Sequence, residues 1–137
     1  MNYKEIIKNE KKYAASILRI GLSLVFLYFG SQQIQNPIGW VHFLPGFAEN
    51  LPITMETLII INGISEIILG LLLIAGIFTR IVSFLLFVHI LAITITMGYT
   101  TTGVRDFGIT IGMLAVTLNG SDELCIGRKL SNKEWIR

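Results

Sequence analysis

Two titratable side chains sit in long apolar runs: Glu66, within TLIIINGISEIILGLLLIAGIFTR between Thr57 and Arg80, and His89, in the run that follows. On membrane-insertion scales an acidic group at the centre of such a helix costs about 2.5–3.5 kcal/mol, so it faces protein, water or a counter-charge rather than lipid. A carboxyl group and an imidazole are the side-chain types a proton relay uses. Each also has a plain structural use, Glu66 as a hydrogen-bond hub and His89 as a packed histidine bonded to a helix carbonyl or to Glu66. Asn62 lies one turn before Glu66 on the same side, and Gly63, Glu66 and Gly70 share a stripe at i, i+3 and i+7. Small residues beside an acid let a second helix come close to it.

Other polar groups gather at one end of the apolar runs. Gln32 and Gln33 close the first run on adjacent faces, and Arg105-Asp106 opens the last. If Arg105 turns inward towards Gln32, Gln33 and Asn62, these side chains form a polar pocket beneath the loop that carries Trp40, though only one of the two glutamines need point inward. If it does not, Arg105 and Asp106 are a local cap and charge pair. His42 is an interfacial residue with no assigned role. The histidines have no metal-ligand spacing, and neither a Gly-rich phosphate loop nor a nucleophile–base pair can be read in the chain.

These residues have to be positioned by helices. At about 1.5 Å per residue the run holding Glu66 spans roughly 35 Å, enough to cross a hydrocarbon core of about 30 Å. The pattern predicts four such helices, over residues 14–35, 54–77, 80–98 and 104–120. Only 15% of the chain is charged and 53% is hydrophobic, too apolar an exterior for a water-soluble domain of this length. The first run is too long for a secretory signal and no small-residue cleavage site follows it. Asn36-Pro37 ends the first helix, because a residue before proline is driven out of the α region. Residues 36–53 hold all three prolines with Trp40, His42, Phe43 and Phe47, and form a re-entrant or interfacial loop, either a lid over the bundle or a simple anchor.

The turn between the second and third helices is short, so these two pack antiparallel. Counted from that turn, Glu66 and His89 lie roughly 16 and 14 Å deep, at one level near the midplane. Gly108 and Gly112 form a small-xxx-small pair on the fourth helix, suited to close packing within the bundle or between protomers. Every Lys and Arg except Arg105 falls at the termini, at Arg19 or at Arg80. The positive-inside rule then places both termini in the cytoplasm, with Arg19 snorkelling to the headgroups and Cys125 an unremarkable reduced thiol. The tail 121–137 is polar, with Trp135 in a short surface helix. The basic termini suit an anionic membrane face; no basic patch interleaved with aromatics points to nucleic acid.

Arg19-Ile20-Gly21, Phe26-Leu27-Tyr28-Phe29-Gly30, Asn36-Pro37, Trp40, Gly63 to Arg80 and Val104-Arg105-Asp106-Phe107-Gly108, in this order and spacing, resemble the DoxX family of small four-helix membrane proteins. They are also similar to the DoxD group, the small subunit of thiosulfate:quinone oxidoreductase. The resemblance implies an all-α, polytopic antiparallel four-transmembrane-helix bundle, one domain over 1–137. It further implies a quinone-linked or redox-associated subunit with no cofactor of its own, working with a partner protein or as a homo-oligomer. Family members often carry a lysine three residues after the first helix's glycine; here that position is Gln33, a neutral amide that does not bind an anion as a cation would. The chain has no independent catalytic motif. The alternative function is a non-enzymatic assembly factor, chaperone or cargo-binding protein that docks a partner helix. A small transporter is disfavoured, because four helices leave little room for alternating access.

Overall fold

The computed structural model describes residues 3–127. The ordered elements are α1 (Tyr3–Gln35), two 3₁₀ helices (Pro37–Phe43 and Gly46–Asn50), α2 (Met55–Ala75), α3 (Thr79–Met97) and α4 (Thr101–Asn119). The Tyr13–Gln35 part of α1, α2 and α3 are long and apolar enough to cross a membrane. Arg105 and Asp106 dilute the apolar character of α4, which packs along α3 and completes the bundle.

The surface and interior are inverted relative to a protein in water. Ile17, Leu24, Ile61, Ile68, Ile81 and Ile95 are all more than half exposed, whereas Ser16, Arg19, Ser23, Gln33, Glu66, Asp106 and Asp122 are buried. An apolar exterior around a polar interior suits hydrocarbon as the solvent. The chain is an all-α polytopic membrane protein.

Local chemistry sets the helix ends. Asn36 leaves the α region (φ −141°, ψ 70°) before Pro37. Thr54 caps α2 by accepting from the Thr57 amide, and Thr100 caps α4 by accepting from the Gly103 amide at 3.0 Å. At the end of α2, Gly76 adopts φ 69°, and the amides of Gly76 and Ile77 bond back to Leu73 and Leu72 as a Schellman motif. Some boundaries differ from the sequence expectation. The first helix begins at Tyr3 rather than at residue 14, since the Lys- and Glu-rich stretch ahead of it contains no breaker. The fourth begins at Thr101 because the cap is Thr100, and the second ends at Ala75 because Gly76 reverses the chain.

Two helix pairs make up the bundle, α1 along α2 and α3 along α4. The first pair crosses at glycines: a Cβ on Gly30 would sit 2.6 Å from the Gly63 carbonyl oxygen, and one on Gly63 would sit 2.7 Å from that of Gly30. Of the expected Gly108–Gly112 pair only Gly112 packs within the fold, against Leu22; Gly108 has open space beside it. Although α2 and α3 share a three-residue turn, they pack far less extensively than either pair. Phe26, Leu73, Val82, Leu86, Ile90, Met113 and Val116 fill the interior towards the turn end. The opposite end, under the 3₁₀ helices, is left for a cavity.

Arg19 corrects the snorkelling expectation: it is 1% exposed. Its Nε donates to Asp122 Oδ2 at 2.7 Å and its Nη2 to Oδ1 at 3.2 Å. Its Nη1 donates to the carbonyl oxygens of Leu73 and of Ile74, the latter at 2.7 Å. A cation on the last carbonyls of α2 satisfies groups that every helix leaves open and opposes the dipole there. The segment after α4 therefore folds back onto α2, seating the buried Cys125 against Gly76 and within 3.4 Å of Thr79 Oγ1. Burial raises the Asp122 carboxyl pKa, but hydrogen bonds from Arg19 and the Leu124 amide outweigh it and hold the group below its ordinary 3.8. Trp135 lies outside the described residues.

Candidate functional site

At mid-length on α2, Glu66 is 3% exposed and turned towards α1 and α3, with the close glycine crossing one turn above it. Three side chains from three helices converge on its carboxyl group. Gln33 Nε2, from α1, donates to Oε2 at 3.0 Å. Asn62 Nδ2, one turn earlier on α2, donates to Oε1 at 3.1 Å and also to Gln33 Oε1 at 2.8 Å. His89 Nε2, from α3, lies 2.9 Å from Oε1. Both amides thus turn their nitrogens, which can only donate, to the oxygens of the Glu66 carboxyl group. Of the adjacent glutamines, Gln33 is the one turned inward.

Above this cluster the helices part around a cavity of about 340 Å³, within the size range of small-molecule sites. Glu66, His89, Asn62 and Gln33 line its floor. Ile59, Ile90 and Ile93 are among its apolar walls, and Trp40, Phe43 and Phe47 come from the 3₁₀ segment that roofs it. Trp40 packs edge-on to Phe29 of α1, with ring centres 5.8 Å apart, and against Phe43 at 5.4 Å. Edge-to-face ring pairs of this kind hold a loop in one arrangement. His42 stacks on Phe43 and does not line the cavity.

Arg105 and Asp106 stand at the rim. Asp106 is buried and its Oδ1 accepts from Arg105 Nε at 2.8 Å. The guanidinium, half exposed, lies 5.0 Å over the Phe29 ring. Arg105 is paired locally with Asp106 and also lines the cavity, while the cap of α4 is Thr100 rather than this pair. Among the described residues no group of three or more His, Cys, Asp or Glu is placed to hold a metal ion.

Sequence reading did not find the Arg19–Asp122 pair or the seat of Cys125, because the partners are 103 positions apart and no spacing rule joins them. It singled out Gly63 as a small residue beside Glu66 and noted Gly30 only within the family motif, not as the other half of the crossing.

The DoxX family model matches residues 14–99, more than half of the chain, covering α1 from its membrane-spanning part through α3. The chain belongs to the DoxX family. The part matched to DoxX includes Gln33, Trp40, Asn62, Glu66 and His89, while Arg105 and Asp106 lie beyond it. No curated protein and no solved structure matches the chain significantly.

Proposed function

We propose that this DoxX protein binds a quinone, or a similar lipophile with a flat polar head, between its helices, and exchanges electrons through a partner protein and protons through Glu66 and His89. The observation that carries this reading is the cavity itself, with an aromatic roof, apolar walls and a floor of hydrogen-bonded carboxyl, imidazole and amide groups. A flat ring fits against Trp40 and Phe43, and its oxygens fit the polar floor. The loose packing of α2 against α3 supports entry from the bilayer: Ala92 and Thr96 of α3 line the cavity and are exposed on the lipid-facing surface. In this reading both termini and Arg80 face the cytoplasm, and Trp40 and Arg105 the other side.

Trp40 and Trp135 are the only tryptophans, so a Trp135→Phe protein reports on the cavity alone. Added naphthoquinone is expected to quench Trp40 saturably and raise the melting temperature in detergent, by the equivalent of about 2.7 kcal/mol at a hundred times its dissociation constant. Glu66→Gln is expected to weaken both responses. If quinone produces neither response in the Trp135→Phe protein, this function is wrong.

A further inference from the structure

One ring nitrogen of His89 is committed and the other is not. Nε2 meets Glu66 Oε1, whereas Nδ1 makes no hydrogen bond to the described residues, and the side chain is 29% exposed where it lines the cavity. The protons available to the pair decide what Nδ1 can offer. With a single proton between them the pair is a carboxylate accepting from Nε2–H, and Nδ1 is a bare acceptor. A second proton can sit on either member. On the carboxyl group it is donated to Nε2, and the imidazole proton then resides on Nδ1; on the ring it gives an imidazolium with N–H on both sides. Either way Nδ1 becomes a donor.

We propose that the Glu66–His89 pair is a proton-controlled selector of head-group chemistry. The singly protonated pair prefers a ligand that presents a hydroxyl, such as a quinol or phenol, and the doubly protonated pair prefers one that presents a carbonyl, such as a quinone. This rests on the proposed function and specifies which redox form the cavity holds at each protonation state. The two forms of one carrier thus exchange places as the pair gains or loses a proton. Other groups around the pair are accounted for. From α1 only the neutral Gln33 reaches it; from α4, Arg105 and Asp106 line the same cavity; and the 3₁₀ helices contribute no titratable side chain to the lining. Asn62 Nδ2 is used twice, which leaves Asn62 Oδ1 an acceptor in both states, so it favours the same ligand at every pH.

The test uses the full-length Trp135→Phe protein in phosphatidylcholine vesicles and a matched pair of probes, a prenylated naphthoquinone and the 1-naphthol with the same tail. Dissociation constants are read from Trp40 quenching between pH 5.5 and 8.5, across the range in which imidazoles titrate. The ratio of naphthol to quinone affinity is expected to rise by about tenfold from the acid to the alkaline end, the worth of one exchanged hydrogen bond. It should stay flat in His89→Gln and still rise in Asp106→Asn. If both probes bind wild type with a ratio that does not move with pH, or moves the other way, the selector is wrong while the binding site stands. A swing that survives in His89→Gln, or vanishes in Asp106→Asn, assigns it to another group and also overturns the proposal. Failure of both probes to bind overturns the proposed function and the selector together.

Discussion

Asp122→Leu is expected to destabilise the protein by about 3–5 kcal/mol, because it strands a buried guanidinium without a counter-charge. Arg19 has almost no exposed surface through which to recover hydration, and it holds α1, the end of α2 and the segment after α4 in a single knot. Asp122→Asn keeps an acceptor and costs less. In detergent, the melting temperature of Asp122→Leu should fall by on the order of 10 °C or more, with Asp122→Asn intermediate. Proton linkage gives an independent check. The Asp122 carboxyl titrates lower in the folded protein than its ordinary 3.8, so its contribution is complete above that value and is lost as the pH falls through the folded one. Wild type should therefore lose stability on acidification below about pH 4 more steeply than Asp122→Asn does. Equal acid sensitivity of the two proteins would mean that the pair contributes nothing to folding.

The second large effect is expected at the glycine crossing. A Cβ at position 63 would lie 2.7 Å from the Gly30 carbonyl oxygen and 3.0 Å from Gln33 Cβ, contacts that backbone cannot yield without moving a helix. Gly63→Leu should cost about 1–3 kcal/mol through overpacking alone. By separating α1 from α2 it should also pull Gln33 away from Glu66 and abolish quinone-induced stabilisation. Gly63→Ala is the graded form. Gly21→Ala is the control, since a Cβ there meets nothing within 4 Å and the substitution should be neutral or mildly stabilising by helix propensity. Melting temperatures that are unchanged in Gly63→Leu would mean that the two helices do not cross where described.

The helices could be read from sequence because the apolar runs are bounded by residues with strong local preferences, Asn36-Pro37 and Gly76 among them, whereas the cap Thr100 went unread and the fourth helix starts three residues before its expected position. The same counting puts Glu66 and His89 at one depth, and in the structure their side chains lie 2.9 Å apart. What the sequence could not supply was direction. Gln32 and Gln33 differ by 100° around a helix, and only packing against Gly63 decides which of them faces in. The rule that sends a basic residue near a helix end to the headgroups assumes lipid around it, and for Arg19 a carboxylate 103 positions later cancels that assumption. Gly108 and Gly112 have the same spacing as many close helix contacts, yet only Gly112 meets a neighbour, since spacing carries no information about which face is covered.

Occupancy of the cavity above Glu66 by a lipophile is directly measurable. Leu58 lines that cavity from the first turn of α2, on a side away from the crossing, so Leu58→Trp fills the space and leaves the carboxylate cluster in place. Native mass spectrometry of protein extracted from membranes in mild detergent should show wild type carrying one isoprenoid-quinone mass per chain and Leu58→Trp carrying none. A wild-type spectrum without that adduct, or the same adduct on both proteins, would contradict the account.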